Sequence, residues 1–272
     1  MSLNPVARSI ALSFVLVAAC GYSVNTVASG DPKILAKKTT RALFQFHRKA
    51  KSALLRTSKK PEFKNYFLTS DPIEREALRT KIETATLKVQ KHFDVSEMCL
   101  INANGKEITR VVAGKIAKDL SEDEASSPFF RDGFATLEGD VMLSPIYLSA
   151  DTSEWVIAYI TPIEVNGQKR AILHYEHKMK SLQDRVLKAV KNKSHKIMAI
   201  NRAGLTIINS VDPIDYSKQT GMVKASAYFD TFLLEGKSLD EVVAMIDAGE
   251  PIGDWRGSYK KIGHWTILAL HP

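Results

Sequence analysis

One short motif occurs twice in this chain. Ile101-Asn102-Ala103-Asn104-Gly105 is echoed about 100 residues later by Ile200-Asn201-Arg202-Ala203-Gly204. In each copy one apolar run precedes the motif and another follows it. Asn104-Gly105 between two such runs is a hairpin signal, because the turn needs a positive φ that costs glycine little. A spacing this long exceeds the roughly 20–50 residues of a solenoid repeat and points to two copies of one domain plan.

Around that repeat the chain falls into helices and strands. Leu35, Thr39, Ala42, Phe46, Ala50, Ala53 and Thr57 recur at intervals of three and four, which predicts a helix from 34 to about 57, ended before Pro61. Ser70-Asp71-Pro72 opens a second helix with Leu78, Ile82, Ala85 and Val89 on one face. Together they read as a helical stalk. Strands are predicted at Val95–Asn102, Glu107–Ala113, Asp140–Leu148, Glu154–Ile163 and Arg170–His177. Ser121-Glu122-Asp123-Glu124 matches a capping box opening a helical piece that carries Phe129, Phe130 and Phe134. Met179–Lys191 reads as a connecting helix. The second copy is shorter, with strands near 196–201, 205–209, 254–260 and 264–270 and helical pieces near 223–234 and 238–248.

The first residues have a different character. Arg8 precedes the apolar run Ile10–Ala19, which has the length of a signal-peptide core and is short of the roughly 20 residues of a spanning helix. Val17-Ala18-Ala19-Cys20 matches a lipobox and makes Cys20 the candidate lipidation site; cleavage near Ser29 and an uncleaved anchor are the alternatives. With only two cysteines in the chain, Cys99 is then a single thiol in an apolar run and reads as a small buried hydrophobe. The net charge of +8 is concentrated: Lys33–Lys64 holds eleven Lys and Arg against one acid, Glu62, so the remaining chain is slightly acidic. A nucleic-acid-binding protein spreads basic groups over its folded body, and none is expected here. The basic segment suits anionic lipid head groups or is a solvated helix face.

This arrangement resembles the double Cache family of extracytoplasmic sensors. The residues that carry the likeness are Leu100–Ile108 as the first hairpin, Ser127-Pro128-Phe129-Phe130, Ser144-Pro145-Ile146-Tyr147, Trp155–Ile163 and Ala171–Glu176. The resemblance implies an α+β fold: a long N-terminal helix plus two PAS-like antiparallel sheet domains in tandem. The implied division is a leader at 1–28, a helical stalk at 32–92, a membrane-distal domain at 93–178, a linking helix at 179–194 and a smaller proximal domain at 195–272. It also implies a small-molecule pocket in the distal domain and a signal passed to a separate membrane partner. Family members that bind amino acids hold the carboxylate with an Arg two residues before the first aromatic and the amine with an acid late in the last strand. Glu176 occupies the acidic place, whereas Ser127 stands where the Arg would be, with Arg131 displaced nearby.

The candidate ligand-binding residues are Phe129, Phe130, Tyr147, Asp151, Trp155, Tyr159, His174 and Glu176. Alternation places Ile172, His174 and Glu176 on one face of the last strand, and Trp155, Ile157, Tyr159 and Thr161 on one face of the strand before it. Which of those faces is concave does not follow from alternation. A carboxylate among aromatics suits a cationic or amine-containing ligand. No metal is expected: of His174-Tyr175-Glu176-His177, only His174 and Glu176 point the same way, short of the three or four ligands a zinc site needs. Neither a cofactor nor an enzymatic activity is expected, because nucleophile-elbow and phosphate-loop motifs are missing from the sequence. The expectation is an exported, periplasmic, lipid-anchored sensor, with a homodimer through the N-terminal helix. The alternative is a structural or assembly lipoprotein that uses the same fold for docking.

Overall fold

Asp31 starts the first helix. Its carboxylate accepts a hydrogen bond from the Lys33 backbone N–H at 2.8 Å, and Pro32 supplies a pre-set φ where no amide donor is needed. The resulting α1 (Pro32–Ser58) is 27 residues long, about 40 Å of helix. The structure, a computed structural model, describes residues 31–93, 95–190, 195–217 and 224–272. The leader at 1–28, Cys20, the alternative cleavage point at Ser29 and the last residues of the linking helix, 191–194, lie outside them. Among the described residues no helix is long and apolar enough to cross a membrane.

Pro61 does end α1, but it also begins a further short helix, α2 (Pro61–Leu68), since proline is well suited to a first helical position. In α3 (Pro72–Phe93) the Asp71 carboxylate accepts from the Ile73 N–H at 2.9 Å.

The first sheet is antiparallel and holds β1 (Glu97–Asn102), β2 (Glu107–Val112), β3 (Lys115–Ile116), β4 (Met142–Leu143), β5 (Tyr147–Leu148), β6 (Trp155–Val165) and β7 (Gln168–Lys178). Its order is β3-β2-β1-β7-β6-β4, with β5 also pairing β6. Five strands were expected and seven are present. The run 140–148 divides because Pro145 has no amide proton for the ladder; Ser144 Oγ closes the gap by accepting from the Ala158 N–H at 2.8 Å. The two-residue β3 returns along β2. Nor does the capping box open a helix. The Glu107 carboxylate takes the Ser121 N–H at 2.6 Å and Asp123 takes the Ala125 N–H, so the chain passes through turns and α4 (Phe130–Ala135) begins only at Phe130.

After α5 (Met179–Ala189) the second sheet repeats the plan with β8 (Lys196–Ile200), β9 (Thr206–Asn209), β10 (Arg256–Ile262) and β11 (Trp265–His271) in the order β10-β11-β8-β9. Between β9 and β10 lie α6 (Ala225–Tyr228) and α7 (Leu239–Ala248). In both sheets the first strand sits between its hairpin partner and the last strand. The duplicated motif forms the same turn twice. Asn102 Oδ1 accepts from the N–H groups of Asn104 and Lys106, and Asn201 Oδ1 from those of Ala203 and Leu205.

α1 is not a free-standing stalk. It lies along both sheets, packed on β10 and β11 of the second, on β6 of the first and on α5. Leu43, Phe46, Ala50 and Leu54 fill one core with Tyr159, Leu173 and Tyr175 of the first sheet and Trp265, Ile267 and Ala269 of the second. One helix thus packs against both sheets.

Candidate ligand-binding site

β1 and β7 lie side by side with Glu97 opposite Glu176, Cys99 opposite His174 and Ile101 opposite Ile172. Directly opposed residues share a face of the sheet. β6 continues the same face, with Ala158 opposite Glu176 and Ile160 opposite His174. On the other face Tyr159 opposes Tyr175 and Ile157 opposes His177, and these pack towards α1. The first face opens on a cavity of about 690 Å³. Its floor is β1 and β7; residues 123–129 and 146–151 form the walls, and Lys224 and Ala225 of the second domain reach its edge.

Six carboxylates line this space, from Glu97, Glu107, Asp123, Glu124, Asp151 and Glu176, against one lysine among the described residues, the exposed Lys224. Two of the acids are deeply placed: Glu97 and Glu176 are each 3% exposed. Burial holds both carboxyls above the usual carboxylate range, and for Glu97 the neighbouring Glu176 adds to it. The hydrogen bond from Tyr147 pulls Glu176 partly back. The Tyr147 Oη donates to Glu176 Oε1 at 2.6 Å and lies 2.9 Å from His174 Nε2. Phe129 stacks on the His174 ring at 4.1 Å between centroids. Burial lowers the His174 pKa to about 3, so the ring is neutral.

Asp151 joins the wall through a buried arginine. Arg110 Nη1 meets Asp151 Oδ1 at 2.5 Å and Glu107 Oε2 at 3.6 Å, and its other terminal nitrogen meets Asp119 Oδ1 at 3.1 Å. Three acids therefore hold this guanidinium behind the cavity wall.

Of the eight predicted residues, Phe129, Tyr147, Asp151, His174 and Glu176 line the cavity. The other three do not. Phe130 turns to pack on Phe134 at 4.8 Å. Tyr159 and Trp155 stand on odd-numbered positions of β6 and so face away from the cavity. Tyr159 hydrogen-bonds His47 Nδ1 on α1, and Trp155 packs against Tyr228 and Phe229 of the second domain, each at 4.9 Å. Alternation alone defines two faces of β6; its register with β7 decides which one is concave. Ser127, in the place of the carboxylate clamp, lines the cavity and donates to Glu124 Oε2 at 2.5 Å. Arg131 is exposed and outside the lining, so it does not replace the clamp.

Glu97, Cys99 and Glu107 were not anticipated. The signal for Glu97 was present as a lone acid between Val95 and Ile101, a stretch otherwise free of charge. Such an acid on a strand buried on both faces needs a partner or a function. Lys224 gave no local signal, because only the docking of the second domain brings it near.

No family model and no curated protein matches the sequence. Solved structures do match in fold. The ligand-binding domain of the Campylobacter jejuni chemoreceptor Tlp3 in complex with 4-methylisoleucine is 15% identical, with a TM-score of 0.63 over 88% of each chain. The sensory domain of the same receptor with isoleucine bound is 14% identical, with a TM-score of 0.61 over 88% of this chain and 90% of the other. The sensor domain of the Vibrio cholerae histidine kinase DctB is 13% identical, with a TM-score of 0.56 over 88% of this chain and 95% of that one. The tandem antiparallel sheets and the long helix lying along them give this chain the α+β fold shared by these chemoreceptor and histidine-kinase sensory domains.

Proposed function

We propose that the chain is an exported sensor that binds a small, positively charged molecule in the cavity of its first sheet. The observation that carries this reading is the cavity's acidity: six lining carboxyl groups, two of them buried opposite each other where a bound cation would favour their ionised form, and Ser127 where an anion clamp would stand. A ligand with an ammonium group and no carboxylate meets Glu176 and Glu97 at the floor and the Phe129 ring at the wall. Charge-assisted hydrogen bonds and cation–π attraction are strongest in a space sheltered from water.

The route for a signal is short. Glu176 and His174 face the ligand, while Tyr175 and His177 on the same strand face α1, where His177 packs on Phe46 at 4.8 Å. A ligand that favours one position of β7 biases the position of α1 by the difference in its affinity for the two states. α1 then carries the change to the second sheet and to a membrane partner. Its exposed basic face, including Lys37, Lys38, Arg41, Arg48 and Lys49, suits an anionic membrane surface. Lipid attachment at Cys20 belongs to the same proposal.

The test is a thermal-shift screen of the protein against amines, amino acids and organic acids. Amines are expected to stabilise it, by about 2.7 kcal/mol at 100 times the dissociation constant, and Glu176→Gln is expected to remove the effect. Stabilisation by organic acids alone, or by no compound in any class, overturns the reading.

A further inference from the structure

The face that lines the cavity carries four metal-ligating side chains in a two-by-two patch. Glu97 and Cys99 are neighbours on β1, and Glu176 and His174 stand opposite them on β7. Viewed on β7 alone only two ligands converge, which is why the sequence argued against a metal. The register of β1 supplies the other two. One ligand atom each from Glu97, Cys99 and His174 lie within 4.8 Å of one another, and all three residues are buried. Glu176 Oε1 lies 3.7 Å from His174 Nε2, on the side of the ring that faces Tyr147.

Three atoms in the patch are unpartnered. Among the described residues Glu97 Oε2, His174 Nδ1 and Glu176 Oε2 have no hydrogen-bond partner, although their residues are at most 3% exposed. Leaving such groups unpaired in a buried place is costly, and native structures keep few of them. The hydrogen bonds also fix the imidazole. The single Tyr147 hydroxyl proton goes to Glu176 Oε1, so His174 Nε2–H donates to the Tyr147 oxygen and Nδ1 keeps its lone pair. Such a partner on the remote nitrogen is the usual support of a metal-bound histidine.

We propose that Glu97, Cys99 and His174 form a three-residue binding site for a zinc-like divalent ion, with the fourth position left to water. The donor set, one thiolate, one imidazole and carboxylate oxygen, is the borderline-soft mixture that zinc and cobalt take and that calcium and magnesium do not. Donors in a tetrahedral zinc site sit roughly 3.3–3.8 Å apart, so small side-chain rotations close this cluster. Cys99 loses its thiol proton to solvent on binding, so loading releases protons. This inference goes beyond the amine reading, although both use Glu97 at the floor of the same cavity.

Cobalt(II) titration of the full chain carrying Cys20→Ser tests it, because Cys99 is then the sole thiol. One equivalent of cobalt should give a thiolate-to-cobalt charge-transfer band that zinc abolishes by displacement. Cys99→Ser should remove the band. His174→Gln and Glu97→Gln should weaken zinc binding, and Tyr147→Phe, which acts through His174, should weaken it about tenfold. Thermal melts establish that each variant folds. Absence of the band in the Cys20→Ser protein overturns the proposal whatever the other variants do, and so does a band that survives His174→Gln in a folded protein. Amine stabilisation measured without metal is read separately, so either reading can fail while the other stands.

Discussion

Tyr159 of β6 and His47 of α1 share a hydrogen bond, Oη to Nδ1, across the boundary between sheet and long helix, with both rings buried. Removing the hydroxyl leaves a buried imidazole nitrogen without its partner. Tyr159→Phe is therefore expected to cost about 1–3 kcal/mol of stability in urea denaturation. Because Tyr159 faces α1 and not the cavity, the amine-dependent thermal shift should survive in this variant.

His47 also gives a pH signature. Burial, then the nearby Lys51, lowers its pKa from 6.5 to about 4 in the folded protein. The unfolded chain therefore takes up a proton below about pH 6.5 that the folded chain refuses until about pH 4, and stability is lost as pH falls through that window. The margin by which wild type exceeds His47→Gln should shrink by about 2 kcal/mol between pH 7 and pH 5. Comparing the two proteins cancels the opposite-signed contribution of the buried carboxyls. A margin that stays constant over that range contradicts a buried neutral His47.

The two hairpin glycines are equivalent in φ but not in surroundings. Gly105 has φ +84°, and an added Cβ would lie 2.6 Å from the Ala125 backbone nitrogen; Gly204 has φ +74° with open space around it. Gly204→Ala should cost about 1–2 kcal/mol from backbone strain alone. Gly105→Ala should cost more, since the 123–125 segment must also move. That segment forms part of the cavity wall, so only Gly105→Ala should also weaken ligand stabilisation. Chemical denaturation of the two variants side by side gives the comparison.

Arg110 joins three carboxylates while only 5% exposed. Arg110→Met strands the buried Glu107 and is expected to cost about 3–5 kcal/mol. Asp151→Asn should cost less, because Asp151 is partly exposed and Arg110 retains Glu107 and Asp119. Equal losses in the two variants would contradict this ordering.

Much of the architecture was legible locally. The α1 stripe from Thr39 through Phe46 and Ala50 to Thr57 is buried as its spacing requires, and Asp71-Pro72 starts α3. The duplicated turn, with Asn three residues before Gly, closes both first hairpins. Each rests on an interaction within a few residues, so the chain displays it without a tertiary context. Of the exceptions, the division of a strand at Pro145 is local, whereas the missing helix at 121–124 also involves Glu107 of β2, whose carboxylate takes the Ser121 N–H while Asp123 takes the Ala125 N–H.

By itself the sequence determined the order of helices and strands, the doubling of the plan and the two possible faces of β6 and β7. Periodicity and turn chemistry are properties of short segments. Only the tertiary structure decided which face is the cavity. Strand register set Glu97 beside Glu176 and Cys99 beside His174 and turned Tyr159 and Trp155 away, while the packing of the second sheet and its helices beside the first brought Lys224 to the edge. A site assembled from strands some 75 residues apart in the chain depends on pairing geometry that no local window contains.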